Sequence, residues 1–191
     1  VTQKEKLKLV REQLLVFSLM GKGESIKSLI EELEPSLKRE NVFEWAQLKC
    51  IWIDERLNNG HPEEAIAIGA ETLLLFDINL ESHLEEKTES LKLEILDISD
   101  QYTFRINELK RINHEESQTI IKLLMGIFMP AYNAQRFLLS EYCVYKSAQL
   151  SLIHGVFNLS TFAFSLIGYI ASSKWKNYQL AKKFSEFSLE L

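Results

Sequence analysis

Residues that interrupt helices are scarce in this chain, which has only three prolines and seven glycines among its 191 residues. The intervals between them carry apolar residues at the helical period, and the alternation typical of a strand is nearly absent. The sequence therefore predicts an all-α fold made of one continuous domain over residues 1–191. Helices are expected at 3–20, 24–38, 41–58, 62–77, 83–99, 103–112, 116–129, 134–154, 158–173 and 177–191.

Cysteine is also rare, since Cys50 and Cys143 are the only two. They lie far apart, and each falls within an apolar helical pattern. Buried, reduced thiols are therefore a better interpretation than a disulfide. This cysteine usage indicates a reducing compartment, and we expect the protein to be cytoplasmic.

An excess of positive charge is missing as well. The formal net charge is −5 and the sequence pI is about 5.5, with acidic and basic residues interspersed. Nucleic acids and anionic membranes are bound by basic patches, which this pattern does not offer. Neither is expected as a partner.

The longest stretch without Lys, Arg, Asp or Glu covers residues 147–173, which is long enough to cross a bilayer. It contains polar Gln149, His154 and Asn158, and Gly155 interrupts it where a turn is expected. We therefore predict two buried helices joined by a turn, with Asn158 or Ser160 as the cap of the second. An exposed apolar groove that binds a partner is the alternative for this stretch.

A weak internal repeat is present in the first half of the chain. Gly21 and Gly60 occupy equivalent places before a helix, and their separation lies between the periods of tetratricopeptide and HEAT repeats. Pro62 at a first helical turn, followed by two glutamates, is a typical helix start. Helix 41–58 has two apolar stripes and should be packed on both sides. These features predict a tetratricopeptide-like right-handed superhelix of antiparallel helix pairs with degenerate repeats.

A charged helical insertion interrupts the repeats between residues 81 and 116. One face of its first helix carries an apolar stripe, formed by Leu84, Thr88, Leu91, Ile95 and Ile98. The other face is acidic and consists of Glu81, Glu85, Glu86, Glu89, Glu94, Asp97 and Asp100. A solvated helix face is the simpler interpretation, and a docking strip for a basic partner is the alternative.

The sequence contains no motif of a reaction centre. The segment from Gly21 to Ser25 lacks the upstream glycine and the preceding strand of a phosphate-binding loop. His61, His83 and His114 each stand close before glutamates, as expected of first helical turns, and none has a metal-ligand spacing. His154 is expected at a helix end. We therefore predict no catalytic, cofactor-binding or metal-binding residues and do not expect an enzyme.

Several apolar and small-residue patterns carry a family resemblance. They lie at 59–80, 123–132, 148–164 and 178–191. Together they resemble the helical tetratricopeptide-like region of very large signalling proteins. In those proteins an AAA-type or STAND-type ATPase, often with Ser/Thr kinase, GAF and histidine kinase domains, shares the polypeptide. The resemblance implies a non-catalytic scaffold for protein interactions in signal transduction, with any ATPase or kinase activity outside this segment.

Two other functions remain open, namely a free-standing adaptor that binds a peptide or protein in its concave groove, and a receptor or enzyme with a helical pocket. Trp45, Trp52 and Tyr132 are candidate groove residues, although the sequence does not assign partner contacts. A homodimer formed through exposed terminal helices is a further alternative. The chain opens on Val1 and ends on Leu191 within a helical pattern, so we expect a piece of a longer protein.

Overall fold

The computed structural model describes residues 3–102 and 114–190, and within these ranges it contains helices and no strand. The all-α prediction is confirmed for this part of the chain, and the predicted helix 103–112 lies outside it. The helices are α1 (Gln3–Leu19), α2 (Gly23–Glu40), α3 (Val42–Asn58), α4 (Pro62–Leu73), α5 (Leu84–Tyr102), α6 (Glu115–Asn133), α7 (Phe137–His154), α8 (Asn158–Ser173) and α9 (Tyr178–Glu190).

The helices pack in a regular order. The pairs α1 and α2, α3 and α4, α6 and α7, and α8 and α9 each contact one another. The first helix of each later pair also contacts both helices of the pair before it: α3 packs on α1 and α2, α6 on α3 and α4, and α8 on α6 and α7. Helix α5 falls between the second and third pairs in sequence and packs on α7.

Helix α3 is packed on both sides, as its two apolar stripes predict. Trp45 and Leu48 belong to one buried cluster, which α3 shares with α1 and α2. Ala46 and Ile53 belong to the other, larger cluster, which extends through the rest of the domain. The Lys49 ammonium lies over the Trp45 ring, 4.1 Å from its centroid. Because Trp45 is only 3% exposed, its proposed place in a binding groove is wrong.

The predicted end of helix 116–129 is wrong, because α6 continues through Pro130 to Asn133. A proline inside a helix removes one backbone hydrogen bond, and here its ring is buried in the core. The helix ends instead where Gln135 adopts a left-handed φ of 59° and the Arg136 N–H bonds to the Ala131 carbonyl at 2.8 Å. Helix α7 accordingly begins at Phe137 rather than at 134.

The α-helix predicted over 62–77 is shorter than expected. It starts at Pro62 as predicted and ends at Leu73, where a short 3-10 turn, Leu74–Phe76, follows. Asp77 then adopts a left-handed φ of 58°, and the Ile78 N–H bonds to the Leu73 carbonyl at 3.1 Å. Aspartate tolerates this conformation better than most residues, so the chain reverses without a glycine.

The apolar stripe of α5 is the face that this helix buries, as the sequence predicts. Thr88, Leu91 and Ile95 are buried in the larger core. The acidic face is exposed at Glu85, Glu86 and Glu89. Glu94 is an exception, because its carboxylate accepts a hydrogen bond of 2.6 Å from the Gln149 amide of α7.

The uncharged stretch 147–173 forms the end of α7 and the whole of α8, joined by a turn at Gly155 with a φ of 110°. Ser160, rather than Asn158, completes the start of α8: its hydroxyl accepts the Phe157 N–H at 3.1 Å and lies 2.7 Å from the Ser151 hydroxyl. Among the residues that the structure describes, no helix is long and apolar enough to cross a membrane.

Gly69 sets how closely α4 approaches α6. A Cβ at this position would lie 2.4 Å from Cγ1 of Ile127, whose side chain is fully buried. We expect Gly69→Ala to lower the free energy of unfolding by about 1 to 2 kcal/mol, because overpacking outweighs the gain in helix propensity. Chemical denaturation monitored by circular dichroism measures this change.

Gly126 of α6 provides the matched control. A Cβ there would meet Cγ2 of Ile53 at 3.6 Å, which is an ordinary contact. Gly126→Ala should therefore stabilise the protein by up to about 1 kcal/mol. Equal effects at Gly69 and Gly126 would contradict the close approach of α4 and α6.

Candidate functional site

The main candidate site is an open groove of about 430 Å³ between α6, α7 and α8, which we call the aromatic groove. Its volume lies in the range typical of small-molecule pockets. The groove is lined by Phe128, Met129, Tyr132, Phe137, Glu141, Phe162, Leu166, Tyr169, Ile170, Ser173 and Lys174.

Helical spacing places these side chains together. Phe128 and Tyr132 lie one turn apart on α6, and Phe162, Leu166 and Tyr169 follow one face of α8. Residues three or four positions apart on a helix are neighbours on its surface. Because α6 and α8 contact each other, the two rows form one continuous apolar wall.

The rings of the aromatic groove contact one another directly. Phe128 meets Phe162 edge to face at 6.0 Å between centroids, and Tyr132 meets Phe137 edge to face at 5.6 Å. These are favourable geometries for aromatic pairs. Phe128 is 8% exposed and belongs to the core, whereas Tyr169 on the rim is 62% exposed. The groove therefore has a buried floor and an accessible rim.

The groove also contains an ion pair. The Lys174 ammonium lies 2.6 Å and 2.8 Å from the two carboxylate oxygens of Glu141. The side chain of Glu141 is 16% exposed and that of Lys174 is 60% exposed. The carboxylate is thus held within the wall, while its cation lies largely in solvent.

Two tyrosines further along α7, Tyr142 and Tyr145, are buried behind the groove wall. Burial raises the pKa of Tyr145, and the nearby carboxylates of Glu141 and Glu89 raise it further. Burial also raises the pKa of Tyr142 to about 12. Both phenols therefore stay neutral at physiological pH.

Of the groove residues suggested by the sequence, Tyr132 lines the aromatic groove and is 49% exposed. Trp52, a residue of α3, instead packs against both of the hydrophobic clusters that flank this helix. Phe162 and Tyr169 lie in the stretch 147–173, for which an exposed apolar groove was the alternative prediction, but the sequence did not single them out, although they and Leu166 share one helical stripe. Met129 and Phe137 had no comparable signal in the sequence.

The histidines take the positions expected of helix ends. His61 and His83 lie 3.5 Å and 3.4 Å from glutamates in the first turns of α4 and α5. His114 caps α6, where its Nδ1 accepts the Ser117 N–H at 3.3 Å. The His114 ring stacks on that of His154, with centroids 5.1 Å apart. Within 3–102 and 114–190, no group of three or more candidate metal ligands is present.

The two cysteines are free thiols, as predicted. Cys143 is fully buried and Cys50 is partly buried. Burial, with a further contribution from Asp54, raises the pKa of Cys50 to about 12, and burial raises that of Cys143. Both are therefore thiols rather than nucleophilic thiolates at neutral pH.

The glycine-containing segment at residues 21–25 forms the turn between α1 and α2. Gly21 has a left-handed φ of 64°, and Gly23 is the first residue of α2. A Cβ at Gly23 would lie 1.5 Å from the Arg56 guanidinium. A glycine is therefore found at position 23 because the side chains of α3 leave no room for a larger residue.

The part of the chain that the structure describes is therefore all-helical, with an aromatic groove built on three of its helices. No protein-family model, curated protein or solved structure matches this chain.

Proposed function

We propose that this domain is a non-catalytic helical scaffold that holds a protein segment in its aromatic groove. The observation that supports the proposal is the exposed row of aromatic side chains on the groove rim, from Tyr132 and Phe137 to Phe162 and Tyr169. Contiguous exposed apolar surface of this kind marks binding sites. Aromatic residues at such sites supply a large contact area at a low cost in conformational entropy.

The arrangement proposed for the scaffold is a tetratricopeptide-like right-handed superhelix. Its support is the packing order, in which the first helix of each pair contacts both helices of the preceding pair. This is the neighbour-to-neighbour packing expected of a helical repeat protein. Helix α5 would then be an insertion between repeats, docked on α7.

The proposed setting is a cytoplasmic multidomain signal-transduction ATPase or kinase, in which the partner is another domain of the same polypeptide or a signalling protein. It is supported by the resemblance of residues 59–80 and the later matching segments to such helical regions. A free-standing adaptor with the same groove is the second candidate, and the same rim supports it. The reading frame of the natural gene separates the two, because only the first requires ATPase or kinase modules in the same chain.

A photo-crosslinking experiment tests the docking function. A benzoylphenylalanine placed at Phe162, on the rim, should crosslink one partner reproducibly in cells, while the same group at Leu93 of α5 should not. Both positions are exposed, at 44% and 58% respectively.

The crosslinked partner is then purified and its affinity measured by calorimetry. We expect Phe162→Ser and Tyr169→Ser to weaken binding at least about tenfold, as for aromatic residues that carry much of the energy of an interface. Leu93→Ser should leave the affinity unchanged. An identical loss in all three variants, or in none, would rule out the aromatic groove as the docking site.

A further inference from the structure

We propose that the docked segment places a basic side chain, an arginine or a lysine, against Glu141 in the position that Lys174 now occupies. This inference rests on the proposed docking function and specifies the chemistry of the partner. The basic residue would be flanked by apolar side chains that lie on the aromatic rim. Lys174 then acts as an internal substitute for the partner's cation when the groove is empty.

The first argument is the unequal exposure of the ion pair. Glu141 and Lys174 are the charged residues among the groove-lining side chains. A largely buried carboxylate requires a cationic partner, because burial of an unpaired charge is costly. The cation that it has is 60% exposed, so another cation can take its place at the carboxylate while Lys174 turns into solvent. Lys174 can therefore be displaced at small cost, whereas Glu141 must remain paired.

The second argument is the aromatic surroundings of the carboxylate. Tyr132, Phe137 and Tyr169 line the same groove as Glu141. The faces of aromatic rings attract cations, and arginine is the cation most often found on them. A guanidinium can also bind both oxygens of a carboxylate at once.

The third argument is the local field. Glu141 is the carboxylate among the groove-lining side chains, and its side chain is only 16% exposed. The chain as a whole has a net charge of −5. An acidic segment would have to separate Lys174 from Glu141 and would leave the buried carboxylate unpaired. A basic segment replaces one cation with another.

Selection of peptides tests the inference. A displayed library of random short peptides is selected on the purified protein, and binders that require Phe162 are retained by counter-selection on Phe162→Ser. We expect them to carry arginine or lysine beside apolar residues. A selected peptide is then synthesised with arginine and with citrulline, its neutral analogue of similar shape.

Glu141→Gln should weaken binding of the arginine peptide at least about tenfold, as for loss of a charged hydrogen bond, and should change binding of the citrulline peptide less than about twofold. Lys174→Ala should strengthen binding of the arginine peptide, because the internal competitor is gone. This increase cannot arise from misfolding, so it keeps the test decisive even if Glu141→Gln folds poorly.

The outcomes separate the two proposals. If the library yields no peptide that depends on Phe162, the docking function fails and this inference fails with it. Two results would refute only the basic side chain: Phe162-dependent peptides that are neutral or acidic, or binding of the arginine peptide that is unaffected by Glu141→Gln and Lys174→Ala. The docking function of the aromatic groove would then still hold.

Discussion

Glu55→Ala is expected to lower the free energy of unfolding by about 3 to 5 kcal/mol, which is the cost of breaking a buried ion pair from one side. The Glu55 side chain has no exposed surface. The Arg56 guanidinium donates to its two oxygens at 2.6 Å and 2.8 Å, and the Asn59 amide donates at 2.7 Å. Removal of the carboxylate leaves Arg56, only 14% exposed, without its main partner.

The position of this carboxylate explains why the effect should reach beyond α3. A Cβ at Gly23 would lie 2.7 Å from a Glu55 oxygen, so the first residue of α2 packs directly against it. Negative charge is favourable at the N-terminus of a helix. Glu55 therefore links the end of α3 to the start of α2, and its loss loosens the first helix pair from the rest of the domain.

Urea denaturation at neutral pH measures the effect, with Glu64→Ala as the matched control. Glu64 also contacts Arg56, at 3.3 Å, but its side chain is 58% exposed. Its removal should cost less than about 1 kcal/mol. Glu55→Gln should fall between the two, since it keeps the size of the side chain and loses the charge. A cost for Glu55→Ala as small as that for Glu64→Ala would show that the buried pair contributes nothing.

Phe164→Ala should have an effect of similar size, about 3 to 5 kcal/mol, because it deletes a fully buried ring. Phe164 of α8 packs on two aromatic residues of α9, Phe184 at 6.2 Å and Phe187 at 4.5 Å between centroids. The cavity left by the ring would lie between α8 and α9. Thermal and chemical unfolding of the purified variant measure the loss.

Phe162→Ala is the matched control, since it removes the same ring two positions earlier on the same helix. Phe162 is 44% exposed and lines the aromatic groove. We expect Phe162→Ala to lose less than about 1 kcal/mol of stability and to bind the partner more weakly. Phe164→Ala, in contrast, should act mainly on stability. A severe loss of stability in Phe162→Ala would show that this ring serves the core rather than docking.

The fold class could be predicted because helix formation depends mainly on patterns of residues that are close in sequence. Pro62 started a helix where expected, and the two stripes of α3 correctly indicated packing on both sides. Local rules failed where packing overrode them. Pro130 is a helix breaker by propensity, yet α6 runs through it. The helix loses one backbone hydrogen bond there, and the proline ring is buried in the core.

The candidate site was less accessible to prediction from the sequence. Phe162 and Phe164 are both aromatic members of one apolar helix, and nothing in their immediate sequence shows which faces α9 and which faces the groove. Trp45 was a reasonable groove candidate for the same reason and is buried. Periodicity identifies the faces of a helix, but the identity of the neighbour on each face depends on the order in which distant helices pack.

The sequence by itself determined that the described part of this chain is helical and where most of its helices begin, because these properties follow from interactions between residues close in the chain. Only the tertiary structure decided that α6, α7 and α8 leave a row of aromatic rings uncovered beside Glu141 and Lys174. A surface of this kind is formed by residues far apart in sequence, so its existence depends on how the helices pack together.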